Sequence, residues 1–424
     1  MNVYEQTQYR LDALFAHFEC IYVSFSGGKD SGVLLNLCLQ YLDQHPEWPG
    51  RLGIFHMDYE AQYEMTTQYV DSVFSQHDPR CEYYRICIPF CVPCTTSIAD
   101  SYWRPWQPDK RDIWVRPLPE DAMTECSIYR EGMWDYDFQD QFLGWYSRQH
   151  GGKPTCCLVG IRTSESLNRW RTIYSQDERR HHWHGHNWTT QMDDQNINAY
   201  PIAEWTTEDI WIANGKFGWT YNHLYDLYYQ AGLTIDQMRV ASPFIGQGQE
   251  TLKLYRIIEP HTWAKMLGRV NGVNFTGIYG GTTAMGWKSI TLPKGHTWES
   301  YMYFLLDTLP AETKASYLDK LSTSIRFWRE RGGCMSAEVI EKLRAHGVKI
   351  DVQATTNYKT DKLPVRMDYI DDIDIAEFRE VPTYKRMCIC IMKNDHLCKY
   401  MGFSQTKDEI ARRKNIMEKY KSLL

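Results

Sequence analysis

Ile21-Tyr22-Val23-Ser24-Phe25-Ser26-Gly27-Gly28-Lys29-Asp30-Ser31-Gly32 reads as a short β-rich apolar run, a two-glycine turn and the opening of a helix. Beyond it Leu34, Leu37, Cys38 and Tyr41 recur on one helical face. The glycines let the backbone turn tightly and bring N–H groups close to an anion. The helix beginning near Ser31 adds unsatisfied amides and the positive end of its dipole. Ser26 and Ser31 supply hydroxyls and Lys29 a point charge. Ser24, Ser26, Gly27, Gly28, Lys29, Asp30 and Ser31 are therefore the expected phosphate-binding set. The spacing is neither Gly-x-x-x-x-Gly-Lys-Ser/Thr nor Gly-x-Gly-x-x-Gly.

Outward from this loop the strand–helix rhythm continues. Leu52 to Met57 reads as a second strand ending at Asp58, Ala61 to Ser75 as a helix, and Tyr83 to Ile88 as a third strand stopped by Pro89. Thr155 to Ile161 is a further apolar run before a polar turn. Alternation of this kind predicts a parallel sheet with helices on both faces and ligands beyond the carboxyl ends of the strands. Between 91 and 152 the rhythm breaks into Trp, Pro and charge, which we read as an insertion, a candidate lid. Past 245 helical patterns dominate: Ser300–Leu309, Ala311–Arg331, Ser336–His346, Thr383–Met401 and Lys407–Ser422. The expected domains are 1–245 and a mainly helical 246–424, joined near Gly246–Gln249.

Three further strings join the loop. Gly160-Ile161-Arg162-Thr163-Ser164-Glu165-Ser166 is followed by Arg169; Tyr200-Pro201-Ile202-Ala203-Glu204-Trp205-Thr206 precedes Asp209-Ile210-Trp211; and Met238-Arg239-Val240-Ala241-Ser242-Pro243-Phe244 lies beyond. Thr206 with Asp209 has the spacing of a helix capping box. With Ser26–Ser31 these strings resemble the PP-loop superfamily, in particular phosphoadenosine-phosphosulfate-reductase-like proteins. Together with Tyr384-Lys385-Arg386, Lys393-Asn394-Asp395-His396 and Gly402-Phe403-Ser404 they resemble its immunoglobulin-binding-regulator A subgroup. The resemblance spans nearly the whole chain and is strongest from 20 to 245. It implies a Rossmann-like, adenine nucleotide α-hydrolase-type sheet that binds ATP or phosphoadenosine phosphosulfate. It places Asp58, Gly160, Arg162 and Arg169 near the nucleotide, and it implies a possible ParB-like partner.

A guanidinium forks across two phosphate or sulfate oxygens, so Arg162 and Arg169 suit anion recognition; the alternative is an ion pair with Glu165 or Asp177. Glu165 is a candidate for orienting Arg162 or a water. Lys29, Asp30, Arg162 and Glu165 form the expected catalytic set, and Asp30 or Asp58 would position Mg²⁺.

The 424 residues, 43% hydrophobic and 24% charged, are ordinary for a globular chain of two or three domains. No run reaches 18 apolar residues and Met1 to Glu19 lacks the features of a secretory signal, so a cytoplasmic protein without a membrane span is expected. A net charge of -6 weighs against a broadly basic nucleic-acid-binding surface, leaving a local groove open. Sixteen tryptophans and 29 tyrosines are read first as packing, second as base-stacking platforms. The oligomeric state is not legible.

Thirteen cysteines in a reducing compartment read mainly as buried thiols. Cys91-Val92-Pro93-Cys94 has zinc spacing but no second pair. Cys156 and Cys157 point to opposite faces of a strand, and no later Cys-x-x-Cys follows, so no iron–sulfur cluster is expected. The Glu-Cys-Gly-x-His string by which sulfonucleotide reductases attack sulfur is absent. Cys388, Cys390 and Cys398 remain candidate nucleophiles, with buried thiols favoured. The cluster His181-His182-Trp183-His184-Gly185-His186, beside Arg179 and Arg180, reads as a solvated loop before it reads as a metal or anion site.

Three functions follow: adenylyl transfer from ATP with pyrophosphate release, sulfonucleotide reduction or sulfotransfer, and a non-catalytic nucleotide-sensing regulator with a protein or DNA partner.

Overall fold

The computed structural model describes residues 1–97, 100–174, 181–245, 252, 254–273, 292–355, 360–375, 377 and 380–403. The expected C-terminal helix 407–422, Arg179, Arg180 and the stretch Gly246–Gln249 lie outside them. The chain divides into two compact units: Met1–Pro93 with Tyr102–Val270, and Cys94–Ser101 with Asn271–Leu424.

In the first unit the sheet is built from β1 (Cys20–Ser24), β2 (Arg51–Met57), β3 (Cys81–Ile86), β6 (Ala122–Met123), β7 (Thr155–Val159), β8 (Thr189–Gln191) and β9 (Ile197–Ala199). Their order is β6-β3-β2-β1-β7-β9-β8. All neighbours pair in parallel except β8, which runs antiparallel to β9. The chain winds from β1 outward through β2 and β3, then returns to place β7 on the other side of β1. The switch point of the topology therefore falls between the carboxyl ends of β1 and β7, where ligands bind in open α/β sheets.

β1 is buried along its length because it is covered on both faces. Ile21 and Val23 share a core with α1 (Val3–His17), α2 (Lys29–Gln44), α3 (Glu64–Phe74) and α6 (Thr207–Phe217). Tyr22 points the other way, 5.4 Å from the ring of Phe142 and 5.1 Å from that of Tyr146 on α4 (Asp135–Gln149). Phe138, Phe142 and Tyr146 recur every four residues, and all three are fully buried. Thus part of the stretch read as an insertion supplies β6 and the helix that covers the second face. The rest holds a small hairpin, β4 (Val92–Pro93) and β5 (Tyr102–Trp103).

Arg10 of α1 forks onto Glu204 at 2.6 and 2.8 Å and donates to the Pro201 carbonyl at 2.9 Å. The capping box at Thr206 is present, with Asp209 as its second member, and opens α6. Two more helices complete this unit's site region: α7 (Leu224–Gln230), after α5 (Leu167–Tyr174), and α8 (Pro260–Arg269).

The second unit contains α9 (Trp298–Asp307), α10 (Ala311–Arg326), α11 (Ala337–Ala345) and α12 (Tyr384–Met392). A three-stranded sheet, ordered β10 (Gly333–Met335), β12 (Leu363–Arg366), β11 (Asp351–Val352), accompanies them. The helix expected to run to Met401 stops at Met392, because Asn394 and Cys398 take positive φ of 50° and 53°. Among the described residues, no helix is long and apolar enough to cross a membrane.

Candidate functional site

The loop after β1 is held from three sides. Gly27 takes φ 74°, and a Cβ there would lie 3.0 Å from Val70 Cγ2, so only glycine turns the chain here without strain. Asn222 Nδ2 donates to the Gly27 carbonyl at 3.0 Å and to Thr66 Oγ1 at 2.9 Å. Ser26 and Ser31 hydroxyls lie 2.9 Å apart, and the Ser26 amide donates to Ser31 Oγ at 3.1 Å. Gly28 is the N-cap of α2, so the orphan amides of the first helical turn face the loop. One is already used: Lys29 N–H donates to Tyr225 Oη at 3.0 Å. Neither Asn222 nor Tyr225 stands in a recognisable string, and sequence reasoning missed both.

Lys29 is buried, its Nζ 3.1 Å from Asp30 Oδ2, 3.5 Å from the Met238 carbonyl and 5.5 Å from the centre of the Tyr225 ring. The string 238–244 thus passes directly over the loop, and Arg239 Nη2 donates to the Glu165 carbonyl at 3.0 Å. From the end of β7, Gly160 presses on the start of α2. A Cβ on it would meet Ser31 Cα at 3.0 Å and Ser31 N at 3.1 Å.

Arg162 is 2% exposed, and its Nε donates to Asp30 Oδ1 at 2.5 Å. Its Nη1 reaches Ser164 Oγ at 2.9 Å and the Trp205 carbonyl at 3.3 Å. It therefore ties the β7 turn to the first turn of α2 and to the segment before α6. Arg169 does not join it in one site: its side chain is half exposed and pairs with Glu165 at 3.5 Å. Glu165 bridges the two, with its other oxygen 3.9 Å from Arg162. Glu165, one of the two ion-pair partners weighed in the sequence, pairs with Arg169, whereas the main partner of buried Arg162 is Asp30.

Asp58 ends β2 as expected and is buried. Its Oδ1 accepts from Arg116 Nη2 and, at 3.0 Å, from the Glu60 amide. Burial works to raise its carboxyl, but the guanidinium of Arg116 and the neighbouring His56 outweigh it and hold it below the ordinary value. Burial lowers His56, which sits with Nδ1 2.8 Å from the Phe25 carbonyl. Both oxygens of Asp30 pair with cations of the chain, Oδ1 with Arg162 and Oδ2 with Lys29, and Oδ1 of Asp58 pairs with Arg116. Among the described residues no group of three or more His, Cys, Asp or Glu could hold a metal ion. Cys91 and Cys94 are both buried, and Cys94 Sγ lies 3.2 Å from Thr96 Oγ1. The histidine loop packs on itself and on α1: the ring centre of Trp183 lies 4.7 Å from that of His184 and 5.1 Å from that of His17. His182 Nδ1 is 2.6 Å from the Thr189 carbonyl.

A cavity of about 170 Å³ opens beside the loop at the carboxyl ends of β1 and β2. Ser24, Ser26 and Phe55 line it on one side, Tyr59, Gln62 and Gln139 on the other, with 240–242 as the rim. Tyr59 Oη donates to Asp135 Oδ2 at 3.1 Å, and burial pushes the Asp135 carboxyl up to about 6. Cys388, Cys390 and Cys398 are fully buried in the second unit, and burial raises the thiols of Cys388 and Cys390.

The phosphoadenosine phosphosulfate reductase domain matches residues 20–86, which hold the loop and Asp58, and a domain of unknown function, DUF3440, matches residues 232–412. The chain is 30% identical over 422 residues to the uncharacterized protein YbdN of Escherichia coli (strain K12), covering 98% of this chain and 94% of that one. Among solved structures it is similar to Candida auris phosphoadenylyl-sulfate reductase, at 13% identity and TM-score 0.27, covering 54% of this chain and 85% of that one. It is also similar to Candida glabrata FMN adenylyltransferase, at 16% identity and TM-score 0.28, covering 48% of this chain and 51% of that one. Likeness at this level decides nothing about activity. The 30% identity to YbdN along nearly the full length of both chains places the chain in the YbdN family, with a phosphoadenosine phosphosulfate reductase domain matching its amino-terminal part on the loop.

Proposed function

We propose that the loop Ser24–Ser31 binds the phosphates of an adenine nucleotide and that the chain transfers an adenylyl group from ATP to an acceptor. The observation that carries this is a cavity at the carboxyl ends of β1 and β2 with Ser24, Phe25 and Ser26 in its wall, beside the loop that leads into the amino-terminal end of α2. An acceptor oxygen or nitrogen attacks the α-phosphorus and forms the new bond to it. The bond to the bridging oxygen breaks, and pyrophosphate leaves with the electron pair. Lys29 supplies charge to the phosphates by exchanging its contacts with Asp30 and the Met238 carbonyl. Arg162 holds Asp30 and keeps the helix start in place. Ser26 and Ser31 hydroxyls, already paired to each other, donate to phosphate oxygens.

The test is pyrophosphate release from ATP with candidate acceptors, beside calorimetry for nucleotide binding. Tight ATP binding without release from any acceptor ends the adenylyl-transfer reading. Absence of binding to ATP, its sulfated relatives or any adenylate ends the nucleotide reading itself.

The reductase-domain match favours a second reading, sulfonucleotide chemistry on the same loop. It needs a reactive thiol, and Cys388, Cys390 and Cys398 are sealed from solvent. Sulfite release from phosphoadenosine phosphosulfate with a dithiol reductant, lost on substituting one of these three by serine, would select it.

A further inference from the structure

The string Met238–Phe244 runs as a strap across the loop, and both of its ends are fixed. Met238 is buried, and its carbonyl accepts from Lys29 Nζ at 3.5 Å. Phe244 is fully buried, its ring centre 4.8 Å from that of Trp103. Between them Val240, Ala241 and Ser242 line the cavity beside the loop. A Cβ on Gly28 would come within 3.9 Å of Val240 Cβ. Arg239 therefore leaves the strap one peptide bond from an atom that touches Lys29. Its side chain is exposed, and Nη2 donates to the Glu165 carbonyl at 3.0 Å, on the turn that Arg162 ties to the start of α2.

The other cations around the loop each face a carboxylate. Lys29 and Arg162 share Asp30, at 3.1 and 2.5 Å. Arg116 is held by Asp58, and Arg169 lies 3.5 Å from Glu165. Arg239 differs from all four: among the described residues it pairs with no carboxylate, and its recorded acceptor is a neutral carbonyl. A guanidinium carries five N–H donors in a rigid fork, so most of this one's capacity is unused. The carbonyl contact is open to water, and exchanging it for an oxyanion gains a bond about twice as strong.

The loop needs such a charge. Two cations around Asp30 leave an excess of one positive charge beside the amides of α2, whereas a nucleoside triphosphate brings several negative ones.

We infer that Arg239 grips the phosphates beyond the α-phosphate of a nucleotide held in the loop. The guanidinium leaves the Glu165 carbonyl and forks across oxygens of the β- and γ-phosphates. In the transfer proposed above, those oxygens depart as pyrophosphate. The assignment rests on the reading that Ser24–Ser31 binds nucleotide phosphates. It makes Arg239 a specificity residue for polyphosphate, because AMP presents nothing for it to hold.

Calorimetry on the full chain tests this with three probes: ATP, AMP and inorganic tripolyphosphate. Arg239→Ala loses at least tenfold in affinity for ATP and tripolyphosphate, and less than about twofold for AMP. Arg239→Lys, which keeps the charge without the fork, falls between the alanine variant and the parent. Arg148→Ala, at an exposed arginine at the far end of α4, binds all three probes as the parent does. The exposed position of Arg239 leaves the fold of its variants intact, which an unchanged Tm verifies. A parent that binds ATP while Arg239→Ala binds it equally well overturns the assignment and leaves the loop reading standing. AMP weakened as much as ATP also overturns it, since the arginine would then act at the α-phosphate or on the loop itself. An equal loss in Arg148→Ala does so too, by reducing the effect to general charge. A parent that binds none of the three probes ends the loop reading and this assignment together.

Discussion

Glu60 Oε1 lies 2.8 Å from Arg269 Nε and Glu60 Oε2 lies 3.0 Å from Arg269 Nη2, with both side chains sealed from solvent. The same carboxylate accepts from the amides of Trp106 at 2.7 Å and Val115 at 3.0 Å. One buried anion therefore fastens α8 and the segment after β5 to the end of β2. Glu60 holds this position at φ 64°, a conformation that side chains rarely adopt.

Removing one member leaves the other charged and unpaired in the interior. Arg269→Ala is expected to cost about 3–5 kcal/mol. Urea unfolding checks it, as a lower midpoint with an unchanged slope.

Gly160→Ala should act on both stability and binding. Its Cβ would press against the Ser31 backbone at 3.0 Å, and backbone cannot swing aside. The expected cost is about 1–3 kcal/mol of overpacking. Because the displaced turn is the start of α2, ATP affinity should fall at least tenfold by calorimetry.

Asp135 carries a pH dependence. Burial raises its carboxyl from 3.8 to about 6 in the folded chain. Between those values the folded state holds the proton and the unfolded state has lost it, so stability falls as pH rises through the window. The full penalty, present above pH 6, is about 3 kcal/mol at roughly 1.4 kcal/mol per pH unit. Asp135→Asn removes it while keeping an acceptor for Tyr59. The variant should therefore gain on the parent between pH 4 and 7 in denaturant titrations, and a parallel pair of curves would refute this.

Thiol accessibility separates the two nucleotide readings. Cys126 and Cys334 are half-buried, whereas the other eleven cysteines are buried. Brief native alkylation at pH 7 followed by peptide mass mapping should mark Cys126 and Cys334 and spare Cys388, Cys390 and Cys398. Rapid labelling of Cys388 would put the reductase chemistry ahead of adenylyl transfer.

The parts legible in the sequence were those with local signatures. The loop at 24–31, the run of strands at 52–57 and 155–159, and the Thr206 cap each rest on neighbours a few residues apart. α4 carried its signal too, in the four-residue recurrence of Phe138, Phe142 and Tyr146, but aromatic and charged residues around it hid the period. Glu60 and Arg269 are 209 positions apart, and Asn222 reaches back 195 to Gly27. A buried pair at such separation leaves no periodic trace, so its partners become visible only when the chain is folded. Arg162 and Asp30 were each legible as site residues, while their contact, 132 positions apart, was not.

The fork from Arg10 to Glu204 sets an order on biosynthesis. The two residues are 194 positions apart. At about 5–20 residues per second, the arginine emerges roughly 10–40 s before its carboxylate partner. Until then the first helix has no counter-charge for a side chain that ends up sealed, so its docking is a late event on the ribosome, and a chain stalled before residue 204 should leave α1 open to protease.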